Sequence, residues 1–111
     1  MRYLIPFFAV LPFAAQAADP FAQAKGVMSA QCSSCHVIPG VPGAYGDIGP
    51  SLKGVAKRPL IAGKLPNNSA NMVHWLMHPQ QVSPGTAMPE LGLTSDQAGK
   101  IAAYLSTLDK P

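Results

Sequence analysis

Cys32-Ser33-Ser34-Cys35-His36 is the stretch on which the reading of this chain turns. In a helical turn, side chains at i, i+3 and i+4 share a face, so Cys32, Cys35 and His36 present two thiols and one imidazole to a common spot. Thiolates at that spacing can add to the two vinyl groups of a haem while the imidazole reaches the iron, and C-x-x-C-H is the attachment signature of haem c. Three other readings use the same residues less completely. A dithiol redox site belongs in a βαβ context, and the chain offers no strand alternation. Zinc needs four ligands where the motif supplies three, and no second C-x-x-C stands nearby. A structural disulfide leaves the histidine unused. The expectation is one haem c, attached through Cys32 and Cys35 and ligated by His36.

The rest of the sequence is consistent with a small body that needs such a staple. The chain has 111 residues, 48% hydrophobic and 12% charged, which allows one core and excludes a disordered tail. Eight Lys and Arg against five Asp and Glu leave a net charge of +3, too sparse for the basic stripe of a nucleic-acid binder. Arg2, the apolar run Tyr3 to Ala14 and Ala15-Gln16-Ala17 read as an export signal cleaved after Ala17. A membrane anchor is the alternative, but the run falls short of the roughly 20 residues that span a bilayer and contains Pro6 and Pro12. Residues 1–17 are therefore expected to be a leader and 18–111 a periplasmic domain with no membrane span. Removing 17 of the 111 residues leaves 94 and takes the charge to +2, a size at which a purely hydrophobic core is marginal.

Asp19-Pro20 reads as N-cap and first position of a helix running to Ser33, with Phe21, Ala24 and Met28 at helical spacing. From Val37 to Leu65, nine Gly or Pro residues between Pro39 and Pro59 predict a long structured loop. Asn71 to His78 is Pro-free and ends at Pro79, so a short helix is expected there, with Met72, Trp75 and Leu76 on one face and His74 and His78 on another. Pro84, Gly85 and Pro89 keep the next segment extended. Thr94-Ser95-Asp96-Gln97 is a capping box opening a last helix with Ala98, Ile101, Leu105 and Leu108 as its stripe.

A haem iron needs a sixth ligand or an open site, and that choice separates electron transfer from oxygen or peroxide chemistry. Met28, Met72, Met77, Met88, His74 and His78 are the candidates. Met28 lies one turn before Cys32 on the attachment helix, and Met72 and Met77 lie in the short helix, where methionine packs. Met88 sits in Ser83-Pro84-Gly85-Thr86-Ala87-Met88-Pro89, whose prolines remove backbone entropy that would oppose holding a weak thioether on iron. His36 and Met88 are thus the expected metal ligands, and the i, i+4 pair His74 and His78 reads as solvent-facing. Nothing supplies a distal acid–base pair for peroxide cleavage.

On these residues the chain, from Phe21 to Leu108, resembles a class I c-type cytochrome. The likeness rests on Cys32 to His36, Gly49-Pro50-Ser51-Leu52, Trp75-Leu76 with Pro79, Pro84 to Pro89, and Ala103-Tyr104-Leu105. The stretch from Arg58 to Asn67, and on through Trp75 to Pro79, is similar to the cytochrome c domain of subunit II of some bacterial terminal oxidases. That subunit's copper-binding portion and membrane hairpin have no counterpart in this sequence, so a free-standing relative is expected. The resemblance implies an all-α fold of three to five short helices and long loops wrapped around one covalent haem. It implies that the Pro50 carbonyl accepts the Nδ1 proton of His36, that Arg58 approaches a haem propionate, and that Trp75 lines the distal pocket near Met88. It also implies that the first and last helices cross with Tyr104 in the contact, where Ala24 and Met28 stand in place of the family's usual glycine and aromatic residue.

The function so implied is that of a periplasmic one-electron carrier, not an enzyme, working as a monomer with a terminal oxidase or a periplasmic dehydrogenase as redox partner. The alternatives are a subunit of a larger oxidoreductase complex, and a haem peroxidase or gas sensor with a labile methionine. Lys53, Lys57, Arg58 and Lys64, with no acidic residue between Asp47 and Glu90, form either a solvated face or a docking face for an acidic partner.

Overall fold

The computed structural model describes residues 3, 4, 6 and 18–111; apart from Tyr3, Leu4 and Pro6, the expected leader lies outside them. Four helices carry the described body: α1 (Ala22–Gln31), α2 (Ser69–Met77), α3 (Pro79–Val82) and α4 (Ser95–Leu105). Long loops, a 3-10 turn at Val55–Lys57 and a two-residue hairpin, β1 (Leu60–Ile61) with β2 (Leu65–Pro66), join them. The small all-α fold with long loops is as expected. Among the described residues, no helix is long and apolar enough to cross a membrane.

Helix α1 starts two residues later than the Asp19-Pro20 pair predicted. The Asp19 carboxylate accepts the Phe21 N–H at 2.9 Å and its carbonyl accepts that of Ala22 at 3.1 Å, so Asp19 closes a turn before the helix. The helix ends at Gln31, short of Ser33, and the cysteines follow in tight turns. Helix α2 begins at Ser69, two residues before the expected Asn71, because Asn68 caps it by accepting the Asn71 N–H at 2.8 Å. At His78 the backbone leaves the helix, and Pro79 opens α3, where its fixed φ and missing N–H cost nothing. The capping box of α4 forms as read: Thr94 Oγ1 accepts from Gln97 N at 3.1 Å and Gln97 Oε1 from Thr94 N at 3.0 Å. Leu108 lies beyond the end of α4, half-buried.

The hairpin corrects the expectation of no strands. Leu60 pairs with Pro66 and Ile61 with Leu65 across a turn in which Ala62 has φ +52° and Gly63 φ +68°. The Lys64 N–H closes it on the Ile61 carbonyl at 2.9 Å. The loop is three residues long, Ala62-Gly63-Lys64, and opens with two successive positive φ values, as a type I′ turn does, which Asn-Gly or Asp-Gly normally announces and Ala-Gly does not. Pro84 to Pro89, expected to be extended, is folded instead, with the Thr86 N–H on the Ser83 carbonyl at 3.0 Å.

Helix α4 packs against both α1 and α2. Ala98 and Ile101 from α4 and Ala24 and Met28 from α1 are all at most 2% exposed, so alanine and methionine fill the helix crossing. Tyr104 joins it: the Phe21 ring meets it edge-on at 5.3 Å, Lys25 Nζ lies 5.3 Å from its centroid, and its hydroxyl donates to the Pro39 carbonyl. That last bond ties the helix pair to the loop leaving the cysteine motif.

Candidate functional site

The motif follows directly on α1. Cys32 N–H bonds to the Met28 carbonyl at 2.8 Å, and the Cys32 carbonyl then accepts from Cys35 at 3.2 Å and His36 at 3.0 Å. These i+3 and i+4 bonds preserve the backbone spacing of a helical turn past the helix end. Both cysteines are free thiols, Cys32 buried and Cys35 half-buried. Burial, with the Cys35 thiol adding to it, pushes the Cys32 thiol up to about 11.

His36 is oriented by the loop that returns beneath it. Its Nδ1 lies 2.6 Å from the Pro50 carbonyl oxygen, which can only accept. The proton therefore sits on Nδ1 and the Nε2 lone pair is available to a metal. The loop is held by Gly46 N–H to Ser33 O at 3.1 Å, Gly49 N–H to Cys35 O at 2.7 Å and Leu52 N–H to Val37 O at 2.8 Å. A Cβ at Gly49 would fall 2.5 Å from His36 Cε1, so only glycine lets this backbone lie against the ring. Two unpaired thiols beside an imidazole with a free Nε2 fit a haem c.

The other expected residues come from three more segments. Arg58, half-buried after the 3-10 turn, donates from Nη2 to the carbonyls of Ser51 and Lys53 and so braces the segment following Pro50. Asn67, which the sequence reading missed, holds the same turn with Nδ2 donating to Val55 O at 3.0 Å and Arg58 O at 2.8 Å. Trp75 on α2 and Met88 are both half-buried and packed against the core, whereas Met72 is buried within it at 7% exposure.

Gln80, also unread in the sequence, reaches from α3 into the loop carrying Met88. Its Nε2 donates to Thr86 O at 2.8 Å and Met88 O at 3.1 Å, and its Oε1 accepts from Gly85 N at 3.1 Å. Nothing in the local pattern Pro79-Gln80-Gln81 distinguishes the two glutamines. His74 is exposed and His78 half-buried, their ring centroids 5.9 Å apart, with His78 Nδ1 3.9 Å from Glu90 Oε2. A surface groove of about 440 Å³ between α1 and α4, bordered by Gln23, Gly26, Asp96 and Lys100, contains none of the expected haem-site residues.

Comparison with known proteins meets this geometry. The family described as Cytochrome c matches residues 21–109. Cytochrome c oxidase subunit 2 of Alkalihalophilus pseudofirmus is 32% identical over 78 residues, covering 69% of this chain and 22% of that protein. The protein of the same name from Bacillus sp. strain PS3 is 30% identical over 95 residues, covering 81% and 27%. The chain thus spans about a quarter of the length of these relatives. Among solved structures, SoxXA from P. pantotrophus superposes with a TM-score of 0.62 at 19% identity over 79% of this chain and 80% of the other. The c-type cytochrome SorU from Sinorhizobium meliloti gives 0.55 at 20% identity over 82% and 92%. These two likenesses bear on the fold, while the family match runs from the residue before α1 past the end of α4 and takes in the whole cysteine–histidine turn, so the chain belongs to the cytochrome c family, as a class I c-type cytochrome.

Proposed function

We propose that this cytochrome binds one haem c through thioether bonds to Cys32 and Cys35, with His36 and Met88 as axial ligands, and passes single electrons without catalysing net chemistry of its own. The observation that carries the reading is the 2.6 Å contact between His36 Nδ1 and Pro50 O, which fixes the tautomer that leaves Nε2 as a ligand beside two free thiols. Bound there, the haem supplies a one-electron couple. The chain's part is to hold the ligands nearly still: the Pro50 carbonyl orients His36, and Arg58 and Asn67 brace the loop behind it, while the family resemblance assigns Trp75 to the Met88 side of the haem. Arg58 spends Nη2 on two carbonyls and has other N–H donors left for a propionate.

The reading includes export, with cleavage after Ala17 and a periplasmic location, and a terminal oxidase or periplasmic dehydrogenase as partner. The oxidase-subunit relatives support the first partner. They also support the second reading, a subunit of a larger complex. Lys53, Lys57 and Lys64 are exposed and would flank a docking face for an acidic partner.

Two measurements on the purified holoprotein test the function. Acid–acetone extraction is expected to leave the colour with the protein; haem in the organic phase would remove the thioether assignment. Stopped-flow mixing with a partner oxidase is expected to show fast one-electron exchange that slows with salt, on a scale set by a screening length of roughly 10 Å at 0.1 M. Exchange indifferent to salt removes the lysine face, and sustained peroxidase turnover overturns the carrier reading.

A further inference from the structure

Helix α3 is four residues long, yet it is firmly seated. Pro79 at its start is among the largest fully buried side chains, and the Ser83 N–H closes on the Pro79 carbonyl at 2.8 Å. From this base Gln80 makes four hydrogen bonds to four residues of the segment 85–90. Both amide hydrogens are used, on Thr86 O at 2.8 Å and Met88 O at 3.1 Å; the amide oxygen takes Gly85 N–H at 3.1 Å, and the backbone N–H donates to Glu90 Oε1 at 3.1 Å.

The segment has few other ties. Gly85 turns it with φ +81°, Thr86 N–H bonds back to Ser83 O at 3.0 Å, and Met88 N–H reaches its neighbour Thr86 Oγ1 at a long 3.3 Å. Among the described residues, no side chain outside the loop other than that of Gln80 hydrogen-bonds to residues 85–88. The side-chain hydrogen bonding that ties this loop to the body is therefore concentrated in one amide, beside the packing of Met88 on the core.

We propose that Gln80 is a positioning residue for Met88: its side-chain amide clasps the 85–88 loop to α3 and so sets how readily the thioether leaves its place. The proposal rests on the assignment of Met88 as axial ligand. A thioether is a weak donor, so the free energy of loop opening, more than the sulfur bond, governs how fast an external base takes the position. Gln80→Glu keeps the shape and the acceptor for Gly85 but sets an oxygen against two carbonyls. Gln80→Met keeps the shape and removes the amide without adding charge. Gln81→Glu, one residue along on an exposed side chain, is the charge-matched control.

The readouts are the near-infrared sulfur-to-iron band of the oxidised holoprotein and the rate of imidazole uptake at saturating imidazole, where loop opening is the limiting step. With two side-chain hydrogen bonds lost in Gln80→Glu and three in Gln80→Met, both variants are expected to take up imidazole about tenfold faster or more, with the band still present and Gln81→Glu unchanged. A rate within about twofold of wild type in a Gln80 variant that retains the band overturns the positioning role. A wild type without the band overturns the Met88 assignment itself and the clasp with it, a different signature. Amide exchange in the wild-type holoprotein needs no variant: the Gly85 N–H is expected to exchange more slowly than that of Ala87, and equal rates overturn the clasp.

Discussion

Oxidised Met88→Ala protein is expected to lose the sulfur-to-iron charge-transfer band, to bind cyanide when ferric and carbon monoxide when ferrous, and to fall in reduction potential by something on the order of 0.1 V or more, within the roughly 0.8 V that axial ligands span. The sign follows from the donor: a thioether stabilises ferrous over ferric iron, and water or a harder base in its place does the reverse. The fold should tolerate the change, because Met88 lies in a loop and is only half-buried. Retention of the band would move the ligand to Met72 or Met77. Met72 is the worse of these, since at 7% exposure it fills the core between α2 and α4.

Gly49→Ala is expected to cost more than a methyl group ordinarily does. Its Cβ would stand 2.5 Å from His36 Cε1, 2.9 Å from Nδ1 and 3.0 Å from Nε2, so either the ring or the 49–50 backbone must move. Either movement breaks the His36–Pro50 hydrogen bond, leaving the imidazole less basic and less well aimed. Holoprotein yield should fall severalfold, the reduction potential of what forms should rise, and stability against urea should drop by about 1–3 kcal/mol. Gly26→Ala provides the contrast. It lies mid-helix in α1 with nothing within 4 Å of the added Cβ, and alanine there should stabilise the fold by about 0.5–1 kcal/mol. If Gly49→Ala behaves like Gly26→Ala, the close approach to the ring is not what requires glycine.

Much of this cytochrome is set by its sequence alone because the decisive signals are local. Two thiols and an imidazole at i, i+3 and i+4 share a single turn of the backbone, and the Thr94–Gln97 box marks the start of α4 through bonds confined to four residues. Helical periodicity likewise picks out Ala24, Met28, Met72, Leu76, Ala98 and Ile101, all of them buried.

What only the tertiary structure decides is where one segment meets another. The hairpin at 60–66 puts exposed Ala62 at a positive φ that its side chain disfavours, and no residue pattern announces a conformation held by the strand pairing on either side of it. The glycine at 49 and the carbonyl at 50 acquire their relation to His36 only when the loop returns across more than a dozen residues to lie under the ring. Gln80 and Gln81 are identical in sequence, and Gln80 alone becomes a clasp because the loop beyond α3 folds back onto its amide. Covalent spacing settles which groups belong to the attachment turn; hydrogen bonds made between separate segments settle how firmly those groups are held, because their partners are fixed only once the chain has packed.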